Sequence, residues 1–160
     1  MRIIVMSDSH GDYFAVEEII QRNLSADMFI HLGDGERELD DVVRKYPQIN
    51  VFHVKGNCDF ASMSPDMLCL EVEYGHRFIA VHGHNHAVKY SRDVIKKVAA
   101  QNKADIIFYG HTHCRECKYE DGFYILNPGS ASCPRDGTAP SYAYIDITEK
   151  GILANIVSLR

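Results

Sequence analysis

The sequence of 160 residues predicts an α/β fold. Apolar segments of strand length alternate with segments of helical periodicity, the pattern of strand–helix–strand units. Five of the apolar segments run directly into a short polar motif. The second half is β-rich, which adds hairpins to a mostly parallel sheet.

In chain order, RIIVM (2–6) is a buried strand and YFAVEEIIQRNL (13–24) has apolar residues at helical spacing. DMFIHL (27–32) is a strand, RELDDVVRKY (37–46) a helix and INVFHV (49–54) a strand. MLCLEVEY (67–74), Gly75-His76 and RFIAVH (77–82) form a hairpin with Gly in its turn. KYSRDVIKKVAAQNK (89–103) is the clearest helix, and ADIIFY (104–109) is a buried strand. CKYED (117–121), GFYILN (122–127), SYAYIDIT (141–148) and ILANIVSL (152–159) are short strands turning near Gly122 and Gly151. No repeat, linker or low-complexity stretch divides the chain, so residues 1–160 are expected to form one domain.

Composition narrows the function. A hydrophobic fraction of 46% with 24% charged residues is that of a globular domain. The formal net charge of −5 argues against a nucleic-acid-binding patch. No apolar run is long enough to cross a bilayer, and the first residues, MRIIVMSDSHGD, do not form a signal peptide. Five cysteines in no framework spacing favour a reducing cytoplasm. Homo-oligomerisation is left open.

The strand ends carry the chemistry. The junctions are IIVM to SDSHGD, MFIHL to GDGE, VFHV to KGNCD, FIAV to HGHNH and IIFY to GHTH. Open α/β sheets bind ligands at the carboxyl ends of their strands. Five segments therefore deliver Asp8, His10, Asp34, Asn57, His82, His111 and His113 to one rim. In D-x-H and H-x-H an extended backbone puts both side chains on one face, so each pair can grip a cation. Carboxylate, amide and imidazole donors suit Mn²⁺, Fe²⁺, Ni²⁺ or Zn²⁺ without thiolate. Seven donors exceed one tetrahedral ion; they suit two ions sharing a carboxylate such as Asp34, the arrangement that clamps a phosphoryl displacement. Two divalent ions bring +4, and two Asp with a bridging hydroxide remove 3. The remaining charge of about +1 attracts an anionic phosphate ester.

The ordered set D8-S-H10, G33-D34, G56-N57-C58-D59, H82-G-H84 and G110-H111-T-H113 resembles the calcineurin-like metallophosphoesterases, over residues 8 to about 135. With NPGS at 127–130, the short chain is most similar to the small bacterial and archaeal phosphodiesterase branch. The resemblance implies a four-layer αββα sandwich. It implies a first metal on Asp8, His10, Asp34 and His113, a second on Asp34, Asn57, His82 and His111, with Mn²⁺ as the first choice of ion. A bridging hydroxide would attack phosphorus in line, with Asn57 and His84 as further catalytic residues and a small phosphate ester, a diester before a monoester, as substrate.

Two positions depart from the family pattern. Many members have His where this chain has Cys58, and the second motif, GDGE, lacks the Asp that many show three residues on. Cys is a poorer proton donor to an alkoxide, which favours esters with good leaving groups unless His84 or His86 supplies the proton.

Other singled-out residues have plainer readings. His31, His53 and His76 are expected to be structural, Ser130 and Arg135 to serve packing or solvation, and Lys96-Lys97 to form a solvated helix face. Cys114 and Cys117 lead into a strand rather than opening a helix, against a redox motif or zinc knuckle. The alternatives weighed against hydrolysis are a metal-free interaction scaffold on the same fold and a thiol-based module.

Overall fold

The computed structural model describes residues 1–159. Sheet A joins β1 (Arg2–Met6), β2 (Met28–His31), β3 (Val51–His53), β9 (Ser141–Thr148) and β10 (Gly151–Ser158) in the order β10-β9-β1-β2-β3. Sheet B joins β4 (Met67–Glu71), β5 (Arg77–Val81), β6 (Ile106–Tyr109), β7 (Arg115–Glu120) and β8 (Phe123–Pro128) in the order β4-β5-β6-β8-β7. The helices are α1 (Tyr13–Arg22), α2 (Glu36–Val43) and α3 (Asp93–Gln101).

Period-two alternation builds the layers. Ile3 and Val5 of β1 face sheet B, meeting Phe78, Ala80, Ile106 and Phe108 in the central core. Ile4 and Met6 face the other way, onto Val16, Ile19, Leu39 and Val42 of α1 and α2. In sheet B, Ile79, Val81, Ile107 and Tyr109 face Ile95 and Ala99 of α3. Strands covered on both faces read as unbroken apolar runs, hence the continuous IIV, FIAV and IIFY segments. The result is a four-layer αββα sandwich, with α1 and α2 outside sheet A and α3 outside sheet B.

The αββα sandwich implied by the resemblance is present, whereas the mostly parallel sheet suggested by the alternation alone is not. There are two mixed sheets, in which β1–β2, β2–β3, β5–β6 and β6–β8 pair in parallel and β1–β9, β9–β10, β4–β5 and β7–β8 antiparallel. The helix read from Lys89 starts at Asp93, after a turn through Lys89–Arg92. Lys96 is also not a solvated face. Its ammonium pairs with Glu120 and, at 2.8 Å, with Asp121, tying α3 to the β7–β8 hairpin. That hairpin turns at Asp121-Gly122, both with positive φ (53° and 85°), as a two-residue Asp-Gly turn requires.

Candidate metal centre

The parallel strands of both sheets end on one side of the sandwich, where their loops are stitched together. The Asp8 and His10 amides donate to the carbonyls of Gly33 (3.1 Å) and Asp34 (3.0 Å), and the Gly110 amide donates to His82 (2.9 Å). Space is tight enough to exclude any side chain at Gly33, Gly35, Gly56 and Gly110. A Cβ on Gly56 would lie 2.0 Å from Asp34 Oδ1, and one on Gly110 would lie 2.0 Å from Ser7 Oγ.

Into this rim the five loops project all seven residues singled out from the sequence. His10 Nε2 and His113 Nε2 face each other at 3.2 Å, and Asp8 Oδ1 lies 3.2 Å from His113 Nε2 and 3.9 Å from His10 Nε2. On the other side, His82 Nε2 is 3.1 Å from Asn57 Oδ1, and the His111 ring packs 5.1 Å from the His82 ring, centroid to centroid. Asp34 lies between the two groups, with Oδ2 3.8 Å from His10 Nε2 and 3.5 Å from His82 Nε2. Donor atoms of Asp8, Asp34 and His82 all fall within 4.8 Å of one another.

Four features fit this cluster to cations. First, Asp8 is fully buried, its Oδ2 accepts from the Ser7 hydroxyl (2.5 Å) and the His111 amide (3.0 Å), yet its Oδ1 is buried with no partner. A bare carboxylate oxygen in the interior costs free energy that a cation recovers. Second, His82 Nδ1 donates to the Leu32 carbonyl (2.7 Å) and His113 Nδ1 to the Cys133 carbonyl (2.8 Å). This fixes the tautomer that leaves Nε2 as a lone-pair donor, the usual second layer of a metal site. Third, ligands of one ion at about 2.0–2.2 Å sit roughly 3–3.5 Å apart, and His113 Nε2 lies 3.2 Å from both His10 Nε2 and Asp8 Oδ1. Fourth, Asp8, His10, Asp34, His111 and His113 all have positive φ, from 44° to 66°. Non-glycine residues take that conformation at a cost and concentrate where a site demands it.

The groups of the cluster shift one another's protonation. Burial pushes the Asp34 carboxyl up, but hydrogen bonding to His82 and from the Cys58 amide outweighs it and holds Asp34 below the usual carboxylate range. The Asp8 carboxylate beside it raises His113 to about 9, against the effect of burial, so a cation that takes the His113 Nε2 displaces a proton. Burial and the neighbouring His82 depress His111 to about 4.

The other residues sort clearly. His31 is fully buried, bonded to the Ser9 hydroxyl (3.0 Å) and the Gly33 amide (3.1 Å), and His76 binds Asp105 at 2.5 Å in a turn far from the rim; both are structural. His84 is half-buried in a 3₁₀ turn, its ring 5.3 Å from His82 and 6.2 Å from His111. It borders the cluster rather than entering it. Ser130 is buried and donates to the Asp8 carbonyl (2.6 Å), while Arg135 is exposed. All five cysteines are free, with Cys117 exposed on β7. The Cys58 thiol is raised to about 11 by burial and by Asp34, so it is held as a thiol.

One organiser escaped the sequence reading. Asp59 closes GNCD, and its carboxylate accepts four amides: Asp34 (2.7 Å), Gly35 (2.9 Å), Glu36 (3.0 Å) and Gly56 (2.7 Å). It locks the β2 and β3 loops together around Asp34. The motif contained the signal, a carboxylate two residues past a ligand beside a glycine loop. Its partners could not be read because three of them lie more than 20 residues away.

Comparison with known proteins gives the family and supports the fold. Residues 1–150 match the model of the calcineurin-like phosphoesterase superfamily domain. The probable metallophosphoesterase YsnB of Bacillus subtilis is 33% identical over 149 residues, covering 92% of this chain and 85% of YsnB. Phosphodiesterase YfcE of Escherichia coli K12 is 27% identical, covering 96% and 92%. The crystal structure of a predicted phosphoesterase from Streptococcus pneumoniae TIGR4 superposes with a TM-score of 0.86 at 33% identity, covering 98% of this chain and 88% of that one.

Proposed function

The chain belongs to the calcineurin-like phosphoesterase superfamily, and from that premise we propose that it is a two-metal phosphodiesterase formed by residues 1–160 and working in the cytoplasm. The observation that carries the reading is the buried, unpartnered Asp8 Oδ1 inside a cluster whose histidines present their free ring nitrogens. Asp8, His10, Asp34 and His113 would hold one ion, and Asp34, Asn57, His82 and His111 the other. Mn²⁺ is the first choice, with Ni²⁺, Fe²⁺ and Zn²⁺ the other ions that this donor set accepts. Two such ions supply a nucleophile of lowered pKa and charge to stabilise the phosphoryl oxygens.

The chain's own residues do the rest. Asp34 sits between the two donor groups, and Asp59 holds its loop rigid, so the separation of the groups is set before substrate arrives. The Asn57 side chain lies at the mouth, where its amide can turn toward a phosphate oxygen. Burial and His82 lower the pKa of His84, so it meets substrate neutral and serves as a hydrogen-bond partner of the ester. Cys58, held protonated, is a weak acid for an alkoxide leaving group. We therefore infer a preference for diesters with good leaving groups, such as aryl phosphodiesters, in line with the phosphodiesterase names among the relatives.

The test is hydrolysis of bis(4-nitrophenyl) phosphate and 4-nitrophenyl phosphate by chelator-stripped protein reloaded with Mn²⁺, Ni²⁺, Mg²⁺ or Zn²⁺. We expect no turnover without metal and faster turnover of the diester. Failure of every loaded form to hydrolyse either ester, together with no metal uptake, would leave a scaffold role in its place.

A further inference from the structure

Beside the candidate centre, and sharing His10, Asp34 and Cys58 with it, runs a cavity of about 770 Å³. That is the size range of small-molecule sites. Its far walls are the first turns of α2 and the loop of residues 58–63. Two side chains on that loop are conspicuous: Phe60 is 89% exposed and Met63 96% exposed.

The loop is not slack. Asp59 anchors its start through four amides, and near its end the Ser64 hydroxyl donates to Glu36 (2.7 Å) and the Lys55 amide to the Pro65 carbonyl (3.0 Å). A tethered segment that still presents a large aromatic to solvent beside a reaction centre is a prepaid contact surface. Its side chain gains when something covers it, and the backbone loses little further freedom.

Charge narrows what can cover it. The cavity is also lined by Glu36, Glu38 and Asp40, against one cation, Arg37. A second phosphate or other anion would be repelled there. An uncharged aromatic group meets that limit and matches the flat apolar face of the exposed Phe60 ring.

Resting on the phosphoesterase reading above, we propose that this cavity is the subsite for the organic group of the ester, and that Phe60 selects an uncharged planar group, an aryl ring or nucleobase, by stacking. Stacking of a ring on an exposed aromatic gives about a tenfold gain in affinity. Phe60 is a specificity residue and takes no part in bond cleavage.

The test uses phosphonates, whose C–P bond a phosphoesterase does not hydrolyse, so binding is read at equilibrium by calorimetry on Mn²⁺-loaded protein. Phenylphosphonate should bind about tenfold tighter than methylphosphonate. The ratio should fall to near one in Phe60→Ala and be kept in Phe60→Tyr. Tighter binding of 4-carboxyphenylphosphonate than of phenylphosphonate would overturn the uncharged-group assignment. If inorganic phosphate and methylphosphonate bind but phenylphosphonate has no advantage, or keeps it in Phe60→Ala, the subsite is refuted while the metal centre stands. If no phosphonate and no phosphate binds the loaded protein, the phosphoesterase reading falls, and this proposal with it.

Discussion

The two ends of the sandwich are made of similar residues put to opposite uses. At the amino ends of β5, β6 and β8, positive φ falls on Tyr74-Gly75, Lys103 and Asp121-Gly122, where the chain turns. His76 there spends its ring on Asp105. At the carboxyl ends, positive φ falls on Asp8, His10, Asp34, His111 and His113, and the rings of His82 and His113 are steered by backbone carbonyls while their outer nitrogens stay available. Residue type and even backbone conformation do not separate a ligand from a turn. What separates them is whether the polar atoms are already satisfied within the fold.

The comparison breaks hardest at Asp34. Asp34→Asn should lower kcat/KM for an aryl phosphodiester by about 10³-fold or more, with metal content falling in elemental analysis and helix content unchanged. A variant that kept its metal and its rate would remove Asp34 from between the two donor groups. Asp59→Ala comes next. Losing an acceptor shared by four amides should cost about 2 kcal/mol of stability in urea unfolding and disturb metal affinity as well. His76→Ala, at the opposite end, should leave kinetics untouched and cost less than about 1 kcal/mol, since the pair is part-exposed. Smallest of all, Cys114→Ser with Cys117→Ser should change activity by less than about twofold. A large loss there would revive the thiol-based reading.

Much of this was legible in the sequence, for a physical reason. Strands buried on both faces are apolar without interruption, so the point where polarity returns marks the carboxyl end of a strand, and there the ligand candidates stand. The division into two sheets was carried by the family resemblance and not by the alternation of segments. It depends on β1 pairing with β9 and β6 skipping β7 to reach β8, long-range choices that no local period encodes. The roles of Asp59 and Lys96 were hidden for the same reason, because their partners are distant in the chain. The ring orientations of His82 and His113 depend on carbonyls of Leu32 and Cys133, and a main-chain oxygen leaves no trace in residue identity.

The Asp59 clamp has one more effect. It fastens the chain immediately before Phe60 to the backbone around Asp34, so the segment that follows hangs from a fixed hook. Such a segment can be exchanged, lengthened or grafted from a cousin while the grip on Asp34 is preserved. A lineage could thus acquire new tastes without relearning its chemistry.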